Sequence, residues 1–456
     1  MNNQIIEKYN IPVPRYTSYP PANFFSDQFT ETDYIQAIDD SNDKSPSHIS
    51  LYIHFPFCRH LCNYCGCNSY PMMKQSVVTD YIEAVKREIR FIIKRLSGTR
   101  KISQIHFGGG SPSVLQASTL KELIDLILQN FETIDNPEIA IECHPGYLTE
   151  DEWIAIANAG FNRISIGVQD LHNDVLNAVN RKPSVIPMTR VFEILRSHGI
   201  AINMDFIYGL PLQTPERFAE NMKQALALEP DRIVTFSYAH VPWVNPRMKK
   251  LEEIGLPDQE EKKRIFDTIS QILLANGYMA IGIDHFVKPE DELFIAYQNK
   301  QLHRNFQGYC TRRTTGQVYA FGVSGISQLS DAYAQNTKDI AEYIEAMNSS
   351  FDVIRKGYKL SLKEQIIRDA ITLIMCNECL VWKELASLYH MTVDQIKTLI
   401  GYTDGLFSEF ENDGLVTLSD EGIFTTETGK IFTRNIAAAI DPLMKEGNSG
   451  RFSKPI

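Results

Sequence analysis

Apolar residues recur along this chain in two rhythms. From Ser50 onward, six short apolar runs read as buried strands: SLYIHF (50–55), ISQIHF (102–107), EIAIEC (138–143), RISIGV (163–168), AINMDFIYG (201–209) and DRIVTFSYA (231–239). Between them lie stretches with helical period, such as DYIEAVKREIRFIIKRL and TLKELIDLILQNF. The runs are spaced by roughly 25 to 50 residues, room for a helix in each gap. Buried strands alternating with helices build parallel βαβ units. Six such units suit an α/β fold with an open, partial (β/α)6 TIM-like barrel. A doubly wound sheet shows the same alternation, so the pattern alone leaves both open.

Outside this block the rhythm changes. Residues 1–47 read as an irregular N-terminal arm, proline-bearing and strand-poor around PVPRYTSYPPANFF. Residues 280–335 carry DHF, HRNFQGY and GVSGIS with little periodicity. After about Asp339 the pattern turns helical: KEQIIRDAITLIM, WKELASLYH and VDQIKTLIGY are amphipathic, and GLVTLSDEGIFTT reads as a β-hairpin. Three helices and a hairpin suggest a winged-helix-like module, expected here as a structural cap without DNA contact. The expected division is an arm at 1–47, a barrel with a covering extension at 48–345, and a mostly helical C-terminal domain at 346–456. No internal repeat or long low-complexity segment stands out.

A chain of 456 residues can bury a large core. No apolar run is long enough to span a membrane. The opening MNNQIIEKYN lacks the basic and apolar regions of a secretion signal, so a reducing, cytoplasmic setting is expected. A net charge of −11 argues against general nucleic-acid binding. It does not argue against an anionic small molecule, because local arginines decide that. No exposed apolar stripe stands out, so a monomer is expected.

The chemistry concentrates in four cysteines. Cys58, Cys62, Cys65 and Cys67 stand in the spacing C-x3-C-x2-C-x-C. Three thiolates can hold three irons of a [4Fe–4S] cluster and leave the fourth open to a small molecule. Zinc, a disulfide and chance are the alternatives. Zinc usually takes ligands from two separated knuckles, and no second knuckle lies at matching spacing. Disulfides suit small secreted domains. Cys143 and Cys310 are scattered, and Cys376 and Cys379 sit in an apolar stretch where packing as core is expected.

Other polar positions fall at or just past strand ends, where function gathers in barrels. Cys58, Gly108, Glu142, Gln169, Asp205 and Tyr238–His240 all do so. The turn GGGSP after the second strand allows close backbone approach but lacks the Lys-Ser/Thr ending of a phosphate loop. His54 lies two residues after Tyr52 on the same strand face. It is expected to position the metal group, to move protons, or to be an ordinary buried histidine.

C-x3-C-x2-C after a hydrophobic strand resembles the radical S-adenosylmethionine (SAM) superfamily. YIHFPFC (52–58), Cys67, PRYTSYP (14–20), GGGSPS (108–113), NRISIGVQD (162–170), MDFIYGLPLQTP (204–215), DHF (284–286), HRNFQGY (303–309) and RNIA (434–437) narrow it. Together they resemble the oxygen-independent coproporphyrinogen III dehydrogenase family over nearly the whole chain. The resemblance favours the partial barrel. It implies that Cys58, Cys62 and Cys65 hold a [4Fe–4S] cluster, and that SAM chelates the open iron and is cleaved to a 5′-deoxyadenosyl radical.

The resemblance implies further roles. Cys67 would be required for turnover without being a ligand. The site would take two SAM molecules. Tyr52, Tyr64, Gly109, Gly110, Ser111, Glu142, Gln169, Arg181, Asp205, Ala239 and Ile326 match the family's SAM contacts. Tyr64 stands where the family often has Phe, and Ser111 where it often has Thr. Arg181 has an alternative as a surface partner of Asp174. The implied substrate is coproporphyrinogen III, two of whose four propionates become vinyl groups. Arginine forks suit carboxylates, which singles out Arg15, Arg304, Arg312 and Arg313. An electron donor such as flavodoxin or ferredoxin is implied as a partner. The competing readings are a haem chaperone of the same fold and a radical SAM methyltransferase that opens the haem ring.

Overall fold

Each of the six apolar runs is a strand: β1 (His48–Phe55), β2 (Lys101–Gly109), β3 (Glu132–Cys143), β4 (Arg163–Gln169), β5 (Ala201–Tyr208) and β6 (Arg232–Ser237). This is a computed structural model, and it describes residues 3–445 and 452. The six strands are parallel neighbours in chain order. A doubly wound sheet reverses its order at a switch point. The unbroken order therefore selects the partial barrel.

The arc stays open because other strands flank both ends. Beyond β6 come β7 (Met279–Ile281) and β8 (His285–Val287), with β8 antiparallel to β6. A separate hairpin follows, β9 (Leu302–Asn305) and β10 (Gly308–Thr311). The chain then returns to the other end, where β11 (Gln317–Phe321) runs parallel to β1. Antiparallel β12 (Ile326–Gln328), β13 (Ala332–Asn336) and β14 (Ile354–Lys359) extend that edge. The sheet order is β14-β13-β12-β11-β1-β2-β3-β4-β5-β6-β8-β7.

Strand side chains alternate with a period of two. On the outer face, Ile105, Phe107, Ile141, Ile164, Ile166, Ile202, Met204 and Ile233 have no exposed surface. They pack in one core with helices such as Gln75–Ile93, Ala117–Leu128 and Pro215–Leu226. Burying each such side chain contributes about 2 kcal/mol. The inner face is polar: Gln104 and His106 on β2, Glu138 and Glu142 on β3, Arg163 and Ser165 on β4, Asn203 and Asp205 on β5.

Three expectations change. The arm is not irregular throughout: it holds helices at Asn3–Tyr9 and Glu31–Ser41. The second starts at a reciprocal cap between Thr30 and Asp33, a signal masked by the prolines before it. Residues 280–335 carry seven short strands, whose three-to-five-residue lengths are too short to show a period. The division expected at residue 346 falls inside a helix, Ile340–Ser349, and the main sheet continues to Lys359 through β14.

The C-terminal domain begins at Leu362, after a Ser361–Glu364 capping box. Helices Leu362–Asn377, Trp382–Leu388 and Val393–Ile400 precede the expected hairpin, β16 (Val416–Leu418) and β17 (Gly422–Thr425). A further strand, β15 (Cys379–Val381), pairs with β17. Cys376 and Cys379 are buried, as expected of core cysteines. Tyr16 and Tyr19 of the arm, Ile281, Val287, Leu302 and Tyr309 share a second core with Ile367, Ile371, Trp382 and Ile436. The arm thus lies between the barrel edge and the C-terminal domain. Among the described residues, no helix is long and apolar enough to cross a membrane.

Candidate functional site

A cavity of about 570 Å³ occupies the barrel interior and opens at the C-terminal ends of the strands. Its floor is a set of ion pairs. Glu138 accepts from Gln104 Nε2 (2.7 Å) and Arg163 Nε (2.9 Å). Arg163 also donates to Asn203 Oδ1 (3.0 Å), and Arg232 to Asp291 Oδ2 (2.8 Å). Burial works against the Glu138 carboxylate, but Arg163 and Arg232 hold it down at about 2. One candidate arginine belongs here. Arg313 donates to Glu292 and to the carbonyls of Asp135 and Asn136, which lie towards the N-terminal side of β3. Arg313 and Arg312 are not among the cavity's lining residues. They follow β10, whose end points to the floor.

Above the floor, His106 Nε2 meets Glu142 Oε1 (3.1 Å) and Ser165 Oγ donates to Asp205 Oδ2 (2.5 Å). Burial pushes the Asp205 carboxyl up to about 6. Burial opposes the His106 cation, yet Glu142 holds its pKa above the ordinary value. Tyr52 stacks on His106 with ring centres 5.9 Å apart. The Oε1 atoms of Gln169 and Gln104 are buried without a partner, and both residues line the cavity.

The four-cysteine loop lies across the mouth. Cys58, Cys62, Cys65 and Cys67 all line the cavity. The loop is pinned from three directions. Gly110 N donates to Phe55 O (2.7 Å) and Ser111 N to Phe57 O (3.0 Å). Asn63 N donates to Val179 O (2.9 Å), and Asn180 Nδ2 to Leu61 O (2.8 Å). Asn245 Nδ2 donates to Cys65 O (2.5 Å). The glycines permit this closeness. Gly109 has φ +117°, and a Cβ at Gly110 would fall 2.7 Å from the Pro56 carbonyl carbon.

Arg181 does not take Asp174, which pairs with Arg217 (2.5 Å). It instead donates to Tyr64 Oη (3.0 Å), Cys62 Sγ (3.6 Å) and the Gly167 carbonyl. Burial pushes the Cys58 thiol up to about 12, with the neighbouring Cys65 and Cys62 adding to it. The Cys65 thiol is held well down by a hydrogen bond from Cys67. Thiols this close resist ionising together unless a cation joins them, which is the condition an iron cluster meets.

Most expected positions therefore converge. Tyr64, Gly109, Gly110, Ser111, Glu142, Gln169, Arg181, Asp205 and Ala239 line the cavity with the four cysteines. Tyr52 and His54 stand behind it. His54 Nε2 lies 3.1 Å from Asn68 O, and Nδ1 lies 3.1 Å from Tyr52 Oη. Both ring nitrogens are engaged, and burial lowers the pKa, so the ring is a neutral strut. Ile326 is not brought to the cavity. It packs beside Phe25, Tyr333 and Leu360. The reading from sequence missed the inner ring of His106, Ser165, Glu138 and Arg163, although their alternation with isoleucines marks one strand face.

The donor set fits the groups that the resemblance implies. Three thiols converge at one mouth, and a glycine turn leaves backbone uncovered beside them. Unpartnered amide oxygens and acids lie below, as a ligand with an amino group and a ribose requires.

Comparison with known proteins places the chain in two steps. Residues 52–225 match the model of the radical SAM superfamily. More narrowly, the chain is 38% identical to the oxygen-independent coproporphyrinogen III oxidase of Synechocystis, over 99% of this chain and 97% of that protein. It is 35% identical to the Escherichia coli protein of the same name, over 97% of this chain and 95% of that one. The solved structure of the Escherichia coli coproporphyrinogen III oxidase, described as a radical SAM enzyme, superposes with a TM-score of 0.87. It covers 96% of this chain and 98% of its own. The chain belongs to the oxygen-independent coproporphyrinogen III oxidase family, and its cofactors are a [4Fe–4S] cluster and SAM.

Proposed function

We propose that this protein removes two propionate carboxyls from coproporphyrinogen III without oxygen, giving the two vinyl groups of protoporphyrinogen IX. The observation that carries this reading is 38% identity to a coproporphyrinogen III oxidase in an alignment that covers 99% of the chain, with the motif cysteines gathered at one cavity. In this reading Cys58, Cys62 and Cys65 hold the cluster, and the cavity below takes SAM. When bound, these groups supply one-electron cleavage and hydrogen abstraction from the propionate β-carbon.

The chain's own residues bind, orient and exclude. Arg181 bridges Cys62 and Tyr64 to the end of β4, so the loop and the barrel wall move as one. Gly109, Gly110 and Ser111 offer backbone groups beside the cysteines. Glu142, Gln169 and Asp205 face the cavity as polar anchors, with Glu142 oriented by His106 and Asp205 by Ser165. The ion-paired floor closes the far end to water. Cys67 stands exposed beside Cys65, free of ligand duty and able to move a proton or hydrogen near the substrate. The electron donor is a one-electron carrier of the flavodoxin or ferredoxin kind, and the enzyme works as a monomer in the cytoplasm.

Anaerobic reconstitution, reduction and incubation with SAM and coproporphyrinogen III test the reading. Loss of two CO2 and four hydrogens, coupled to 5′-deoxyadenosine, is the expected product pattern in the mass spectrum. SAM cleavage without decarboxylation would reject the substrate while leaving the cluster chemistry in place.

A further inference from the structure

Three of the sequence motifs carry arginines that the cluster and SAM do not use. Arg15 of PRYTSYP lines the same cavity as the cysteines. Arg304 of HRNFQGY lies opposite Tyr309 in the β9–β10 hairpin, so the two share one face. Tyr309 lines the cavity, and the Arg304 guanidinium sits 4.6 Å from the centre of its ring. Arg434 of RNIA donates to Pro14 O (3.1 Å) and to Val13 O, the two residues before Arg15. Lys262 approaches from the strand ends, donating to Tyr238 O (2.9 Å) just past β6.

Two properties set this cluster apart. The first is unmet donors. Arg304 is 6% exposed, and its Nε and Nη1 are buried without a partner. Gln307 Nε2, at the cavity wall, is also unpartnered, and the Tyr309 hydroxyl beside it meets only Arg304. Buried groups of this kind are normally satisfied, and each of these can donate. The second property is crowded positive charge. Burial lowers the basicity of Arg434 to about 9, and the charges of Arg15 and Arg304 add to the effect. Lys262 is lowered to about 8 by burial and then by Arg15. Asp284 is the carboxylate whose charge reaches both Arg15 and Arg304, and it is already engaged by His285 Nδ1 (2.7 Å). A cavity wall formed by Arg15 and Tyr309 and backed by the further cations Arg304, Arg434 and Lys262 is complementary to a further carboxylate.

We propose that Arg15 and Arg304 form a clamp for a propionate that the substrate keeps. The proposal rests on the functional reading above. Its chemistry explains why the held group is a retained one. Decarboxylation discharges a carboxylate, and a clamp that stabilises the charged ground state more than the transition state slows that step. A fork that grips a spectator propionate anchors the macrocycle without this penalty.

Direct binding of porphyrins to the anaerobically purified full chain, read by fluorescence, tests the clamp. Arg15→Gln and Arg304→Gln each weaken coproporphyrin III binding about 10- to 100-fold. Protoporphyrin IX, which has only the two retained propionates, loses affinity by the same factor, and its dimethyl ester is insensitive to both substitutions. Arg304→Lys recovers part of the loss, because charge returns without the fork. Arg190→Gln, on an outer helix and paired only with Glu150 and Glu193 at the surface, changes nothing. Arg15 is only half-buried, so its variant keeps the question open should Arg304→Gln fail to fold. Variants that bind both porphyrins like wild type overturn the clamp. So does a loss confined to coproporphyrin III, which would put the arginines on a reacting propionate. Wild-type turnover with unaltered variants rejects the clamp alone, whereas a wild-type protein that neither binds nor decarboxylates rejects the functional reading and the clamp with it.

Discussion

Two side chains carry distinct tests at the scale of single residues. Cys67 is exposed at the cavity beside Cys65, whose thiol its hydrogen bond holds below the ordinary value. Cys67→Ser is expected to retain wild-type iron and sulfide content and to lose product, whereas Cys62→Ser loses both. Iron analysis beside mass spectrometry separates the two outcomes. If Cys67→Ser loses iron in step with Cys62→Ser, it is a ligand. Glu88 is a different case, since it lies in the core behind the site. It accepts from Gly322 N (2.8 Å), Asn336 Nδ2 (2.7 Å) and Tyr343 Oη (2.5 Å), yet burial raises its carboxyl to about 7. A carboxyl raised above its ordinary value of 4.5 is protonated more readily in the folded chain. Its contribution is complete below pH 4.5 and is lost as pH rises through 7. The wild-type apoprotein therefore loses up to about 3 kcal/mol between pH 5 and pH 8 from this group. Glu88→Gln flattens that dependence. Urea unfolding at the two pH values measures it, and equal slopes for the two proteins would reject the assignment.

Elements, rather than residues, decide how the loop is held. At Gly110 an added Cβ meets backbone of Pro56 at 2.7 Å, and backbone cannot step aside as a flexible side chain can. Gly110→Ala is expected to cost about 1–3 kcal/mol and to lower iron retention. Gly98→Ala, where nothing lies within 4 Å, leaves both unchanged. Iron content after desalting, with denaturation of the apoprotein, checks the pair. The same elements show what the sequence reveals. All six barrel strands are legible, because their outer faces are mostly buried apolar residues, chiefly isoleucine. The polar inner ring was present in the same letters: QIH, EIAIE and RIS each alternate. Of these only Glu142 is singled out from the sequence, because a run with one apolar face scores as buried whichever way its polar residues point. The strands β7 to β13 are not legible, since three to five residues cannot establish a period. Ile326 shows the limit of matching by position. A motif places it correctly in the chain, but its side chain turns into the core around Tyr333.

At the scale of the whole molecule, the arm joins two bodies that the sequence presents as separate. Tyr16 and Tyr19 lie in the core shared by β7, β8, the β9–β10 hairpin and the C-terminal helices. Tyr16 Oη donates to Asp441 (2.9 Å), Asn435 Nδ2 donates to Tyr9 O (2.9 Å), and Lys8 and Tyr9 both reach Asp413. The arm therefore fastens the C-terminal domain over the barrel edge, and it presents Arg15 to the cavity at the same point. Removing residues 1–20 strips two buried tyrosines and these polar ties from the second core but nothing from the core behind β1 to β6. Two buried tryptophans report on the two cores separately: Trp153 belongs to the first and Trp382 to the second. With the exposed Trp243 replaced by Phe, single-tryptophan forms give each core its own fluorescence transition. The truncation is expected to move the Trp382 transition to lower urea by several kcal/mol, since each lost large side chain costs about 3–5 kcal/mol less whatever the site recovers by collapse. The Trp153 transition moves far less. An equal shift at both probes would show that the two cores unfold as one unit and that the arm stabilises the whole chain rather than the junction.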